Sequence, residues 1–120
     1  MEFFIKGRIP SKKNSVNIFT TRGRVVKTPN NRYKAWHKDC SKQITELQFS
    51  KPVKVSCIDM LFFAPDRRKT DLTNKAESVM DLLVDNGILV DDNWYEVGHI
   101  ILRFGGVNKE TPGVNVKLFF

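Results

Sequence analysis

Residues 72–83 constrain this chain more than any other stretch. Leu72, Ala76, Val79, Met80 and Leu83 stand at i, i+4, i+7, i+8 and i+11, the spacing of one apolar stripe on an α-helix. Asn74, Glu77, Ser78, Asp81 and Asp85 fall on the opposite face at ~100° per residue. Asp71 can cap the start and Asn86-Gly87 stops the end, which predicts a helix over residues 73–86. A one-sided helix must bury its stripe, and the neighbouring sequence supplies a sheet. Val53 to Phe63 reads as a long strand, opened by Pro52 and ended by Ala64-Pro65-Asp66. Glu96 to Phe104 and Val114 to Phe120 read as two more, with turns around Gly105-Gly106 and Pro112-Gly113. Upstream, Phe3 to Ile9 is a strand stopped by Pro10, and Ile18 to Lys27 a hairpin turning at Gly23. Asn30 or Asn31 caps another helix running to about Leu47, with Tyr33, Trp36, Cys40 and Ile44 near helical spacing. The order is strand, hairpin, helix, strand, helix, two strands. It predicts an α+β fold, a mixed β-sheet with two helices packed on it.

Nothing divides this pattern: no repeat, low-complexity tract or Gly/Ser linker interrupts it, so residues 1–120 read as one domain. The longest apolar run, Met60-Leu61-Phe62-Phe63-Ala64, is far short of the ~20 residues that cross a bilayer. The start, Met1-Glu2-Phe3-Phe4-Ile5-Lys6, does not read as a signal peptide. Cys40 and Cys57 form no CxxC, and with only His37 and His99 beside them no zinc spacing or disulfide framework emerges. The expectation is a cytoplasmic protein without a membrane partner.

Charge is where function enters. The net charge is +7, and a basic chain favours a polyanionic partner, because each neutralised phosphate releases condensed counterions. The charge is segregated, however. Residues 1–50 carry eleven Lys or Arg against three acids, whereas residues 70–100 carry one Lys against seven acids. A purely electrostatic DNA binder has no use for such an acidic block, but a nuclease does. A helix over 73–86 rises about 20 Å at 1.5 Å per residue. After a reversal at Gly87, five or six extended residues at ~3.3 Å each could bring Asp91-Asp92 back to Asp71. Three carboxylates gathered this way would repel unless protonated or bridged by metal. Mg²⁺ suits them, since it takes one or two carboxylates plus water and phosphate oxygens. Residue by residue the plainer readings stand beside this one: Asp71 as a simple cap, Asp91-Asp92 as a turn, and Glu77, Asp81 and Asp85 as a solvated helix face.

Pro65-Asp66-Arg67-Arg68-Lys69-Thr70-Asp71-Leu72-Thr73-Asn74, then Asp81-Leu82-Leu83, then Gly87-Ile88-Leu89-Val90-Asp91-Asp92 resembles RusA-type Holliday-junction resolvases. That family's pattern is basic residues, Asp-Leu-Asp-Asn, a helix containing Asp-x-Leu, then a glycine and Asp-Asp. Pro10-Ser11-Lys12-Lys13-Asn14, ahead of a hairpin and helix, looks like its opening loop. The likeness is close over residues 65–92 and loose elsewhere. It implies a homodimeric, Mg²⁺-dependent endonuclease, Mn²⁺ being a possible substitute, that recognises four-way junctions and other branched DNA and makes paired nicks. Such genes often sit in phages and prophages. By position Asp71 matches the first motif aspartate, Asn74 the asparagine, and Asp91-Asp92 the final pair. Two positions depart from the pattern. Thr73 stands where the family has a metal-binding aspartate, and Glu77 where it has a functional lysine. Lys75 is two residues off, ~200° around a helix, and cannot simply substitute. Thr73 and Glu77 are four apart and share a face, so Glu77 could supply the missing carboxylate. The lost positive charge could come from Arg67, Arg68, Lys69 or Lys75.

The expected site is therefore Asp71, Asp91, Asp92 and Glu77 as catalytic residues and metal ligands. Thr73, Asn74 and Asp81 support it more weakly, and Lys12, Lys13, Arg67, Arg68, Lys69 and Lys75 hold DNA. Arg22, Arg24 and Lys27 lie in or beside loops that could also meet phosphates. Phe19 could wedge into a junction or pack in the core. Tyr33, Trp36 and Trp94 are assigned to packing or a dimer interface, and neither His37 nor His99 has an identifiable partner. The alternative from another class is a non-catalytic DNA- or RNA-binding module that has lost metal-dependent cleavage.

Overall fold

Val55–Ala64 is the strand around which the rest is arranged. In the structure, a computed structural model describing residues 1–11, 16–49 and 52–120, this strand has a neighbour on each side. The elements in chain order are β1 (Glu2–Lys6), β2 (Val16–Thr21), β3 (Arg24–Pro29), α1 (Asn31–Glu46), β4 (Val55–Ala64), α2 (Leu72–Asp85), β5 (Val97–Val107) and β6 (Gly113–Phe119). One sheet has the order β1-β6-β4-β5, while β2 and β3 form a separate two-stranded sheet. β4 pairs parallel with β5 and antiparallel with β6, and β1 lies antiparallel to β6. The sheet is mixed, the fold is α+β, and the element order is the one the sequence predicts. Lys12 and Lys13 lie outside the described residues, as do the side chains of Phe19 and Lys27.

Local chemistry explains the elements. The β2–β3 hairpin turns on two residues, Arg22 and Gly23, both at positive φ (50° and 75°), the conformation that matches the twist of a tight hairpin. α1 opens at Asn30, whose side chain accepts a hydrogen bond from Tyr33 N at 2.9 Å, and buries Tyr33, Trp36, Cys40 and Ile44. α2 carries the chain from the end of β4 back to the start of β5 and packs beneath the sheet. Its buried face is wider than the expected stripe. Leu82 is buried with the stripe, and so is Ser78 at 0% exposure. Ser78 avoids the cost of burying a hydroxyl because its Oγ donates to Pro10 O at 2.7 Å. One continuous core joins Ile5, Ile58, Met60, Leu83, Val114 and Leu118.

Several expected boundaries move, three of them at glycines. β1 ends at Lys6 rather than Ile9, because Gly7 takes φ 139° and its N–H donates to Pro112 O instead of extending the ladder. Gly105 and Gly106 are not a turn but part of β5, where a side chain at Gly105 would meet the Phe63 ring. β6 likewise starts at Gly113. Among the described residues no helix is long and apolar enough to cross a membrane.

Candidate functional site

The residues expected to act lie at two ends of the β4–α2–β5 unit. At the far end of α2, Ile88 and Leu89 are 0% and 1% exposed, and Leu89 forms a parallel bridge with Val53. Val53 N also donates to Ile88 O at 2.7 Å. Burial thus pins these two apolar residues beside the approach to β4. The chain does not run straight back along the helix as an extended return would. It reaches Asp91 and Asp92 and enters a turn in which Asn93 O accepts from Glu96 N and Val97 N before β5 begins.

Asp91 and Asp92 form a tight pair within that turn. Asp92 N donates to Asp91 Oδ1 at 2.8 Å and Asn93 Nδ2 to Asp91 Oδ2 at 3.1 Å. The Asp92 amide first, then the Asn93 amide, hold the Asp91 carboxyl below the usual carboxylate range. Asp92 moves the other way. A hydrogen bond shared with Asp91, then burial, then the charge of Asp91 raise its affinity for a proton, and Asp81 adds to this. The influence of Asp81 locates the pair beside the third turn of α2. Tyr33 records the same negative region from the α1 side, its phenol pushed up to about 12 by burial, then by Asp81 and Asp85.

Asp71 stands apart from this pair. It occupies the N-cap position of α2, yet its carboxylate makes no capping bond and instead accepts from Asn74 Nδ2 at 3.3 Å. Asp81 lies ten positions beyond Asp71, about 15 Å along a helix. Thr73 and Glu77 are both exposed on α2, as their spacing of four requires. Among the described residues no three His, Cys, Asp or Glu side chains come together in a group able to hold a metal. The structure therefore brings together Asp91 and Asp92, with Asp81 behind them, and leaves Asp71 and Glu77 outside that pair.

The basic residues converge where the acids do not. A cleft of about 1120 Å³ opens beyond the C-terminal ends of β4 and β5, between the starts of α1 and α2. Arg67, Arg68, Lys69 and Lys75 line it, and Arg8 and Arg32 join them against two acids, Asp39 and Asp66. Asp66 is engaged within the cleft: its carboxylate lies 3.5 Å from Arg8 and 3.9 Å from Arg68, and accepts from Arg68 N at 3.0 Å. Lys75 donates to Ile9 O, and burial first, then the Arg8 charge, make its ammonium easier to deprotonate. Arg8 and Arg32 give no signal in the sequence, because they stand alone there rather than in a charge run. The same is true of the partner of His37: its Nε2 lies 2.9 Å from Asp85 Oδ2, tying α1 to α2 across 48 residues of sequence. Trp36 is buried as expected, but Trp94 is 81% exposed and meets the Tyr95 ring edge-on.

No protein-family model matches the chain, and no curated protein matches its sequence. The class defined by fold and surface is an α+β protein with a carboxylate pair at one end of a parallel βαβ unit and a cationic cleft at the other.

Proposed function

We propose that this chain is a metal-dependent endonuclease of branched DNA, acting as a homodimer that nicks the two sides of a four-way junction. The observation that carries the reading is the Asp91–Asp92 pair. Two adjacent carboxylates, one of which already favours neutralisation, suit a hard divalent cation such as Mg²⁺ or Mn²⁺ that takes only one or two protein carboxylates and fills its shell with water and phosphate oxygens. Such an ion supplies an activated water and offsets charge on the leaving oxygen. The chain's own residues do the rest. The amides of Asp92 and Asn93 keep Asp91 ionised, Asn74 fixes the orientation of Asp71, and the cleft cations hold the strand by its phosphates. The likeness of residues 65–92 to RusA-type resolvases supports the same reading. β5 supports the dimer: it is an edge strand with Ile100, Ile101 and Phe104 exposed at 41%, 40% and 58%, and a two-fold junction suits a two-fold assembly.

A second reading, a DNA- or RNA-binding module without cleavage, is favoured by the separation of Asp71 and Glu77 from the pair. Cleavage of a labelled four-way junction in Mg²⁺, Mn²⁺ or EDTA decides between them. The nuclease gives paired, metal-dependent nicks that Asp92→Asn abolishes. Binding without nicks under every metal leaves the binding module. The role given to Glu77 has its own check, since unchanged cleavage by Glu77→Gln would remove it from the site.

A further inference from the structure

The cationic cleft has features that phosphate binding along a duplex does not require. Its inner wall is aromatic: Phe62 and Phe104 come from the ends of β4 and β5, and Trp36 from α1. Two of its lining residues carry buried polar atoms, Trp36 Nε1 and Ser11 Oγ, that have no hydrogen-bond partner among the described residues. Trp36 itself is only 7% exposed. A duplex presents phosphates on a convex surface and keeps its bases stacked, so it can use a cationic rim but not an aromatic interior. The volume slightly exceeds the roughly 300–1,000 Å³ of small-ligand pockets. The position also fits a ligand site, since ligands of parallel strands gather beyond their carboxyl ends.

We infer that this cleft accepts one unpaired nucleotide, its base against the Phe104 and Trp36 wall and its phosphate on Arg32, Arg67 and Arg68 at the rim. Stacking on aromatic side chains is tolerant of base identity, and the guanidiniums fit phosphate oxygens in a bidentate manner. Arg8 lies close enough to Lys75 for the two charges to repel, and an entering anion relieves that repulsion. The inference rests on nucleic acid being the partner, as the proposed function has it, but not on cleavage. A branch point, a flap or a free end would each present such a nucleotide.

Fluorescence of Trp36 tests this directly. The chain has two tryptophans, so Trp94→Phe leaves Trp36 as the sole reporter. The protein is titrated in EDTA with an eight-nucleotide oligothymidylate, with a blunt duplex, and with thymidine monophosphate. The expected result is saturable quenching by the single strand at concentrations at least tenfold below those the duplex needs. Arg32→Gln and Arg67→Gln, both at exposed positions, should each weaken the single strand several-fold while leaving the unliganded emission spectrum unchanged. Quenching by the monophosphate at the same concentrations also supports the site and makes a free nucleotide its occupant. A labelled single strand that binds without changing Trp36 emission would overturn the inference, as would a duplex binding more tightly or indifference to both arginine substitutions. Because no metal is present, loss of nuclease activity leaves this result untouched.

Discussion

At the scale of single residues, the opposed shifts of Asp91 and Asp92 set the chemistry of the acidic end. Asp92 binds its proton more tightly in the folded chain than unfolded, since Asp91 and burial both disfavour its charge. The folded state then holds more protons than the unfolded one as pH rises through this window, so stability falls with increasing pH there. Asp91 works in the opposite sense: the contribution of its amide bonds is present above its unfolded pKa and lost as pH falls through its lowered folded value. Asp92→Asn removes the first effect and keeps the bonds from the Asp92 and Asn93 amides to Asp91. Urea unfolding from pH 4 to pH 7 should therefore show the variant holding or gaining stability relative to wild type toward pH 7, with the difference closing at low pH. A difference that grew toward low pH would mean that Asp92 is not the strained partner. This pairing is half legible in the sequence. Adjacency puts two carboxylates together, but which one binds a proton more tightly depends on Asn93, and on Asp81 arriving from α2.

At the scale of elements, helical spacing locates α1 and α2, while turn residues, prolines and apolar runs locate the strands. What these signals miss are interactions made by backbone. Ser78 looks polar and outward-facing in sequence, yet its hydroxyl answers a carbonyl of Pro10, a residue 68 positions away. After Gly87 the chain buries Ile88 and Leu89, Leu89 bridging to Val53, before it reaches Asp91 and Asp92. Gly113 shows how close these backbone approaches are. It sits at φ 156°, and a Cβ there would lie 2.2 Å from Ile5 O in the neighbouring strand. Gly113→Ala must therefore either part β1 from β6 or strain the backbone, which costs on the order of 1–3 kcal/mol for the backbone conformation alone. Thermal unfolding should show a fall of several degrees or more, as expected of a small domain losing that much stability. Gly23→Ala, in the open hairpin turn with nothing near its Cβ, should carry only the conformational part of that penalty.

At the scale of the molecule, the Asp91–Asp92 pair lies where β5 begins, while cations cluster beyond the ends of β4 and β5, next to Asp71 at the start of α2. The sequence makes both populations visible but suggests one site for them, since Arg67-Arg68-Lys69 directly precedes Asp71 along the chain. The connection from Ala64 to Leu72 carries the cations into the cleft, whereas the carboxylate pair belongs to the next connection. A DNA strand spanning both ends would be gripped at one and face the carboxylate pair at the other, so grip and cutting should come apart on mutation. On the proposed function, Asp92→Asn should bind a junction as tightly as wild type or more so, because it removes a negative charge near the phosphates, while losing metal-dependent nicking. Arg67→Gln with Arg68→Gln should weaken binding and reduce the slope of log K against log salt by about one for each phosphate no longer neutralised. Electrophoretic binding of a junction in EDTA across a salt series measures both. Equal loss of binding in the two variants would mean that cations and carboxylates act as a single site, and would overturn the two-ended grip on DNA that the proposed function implies.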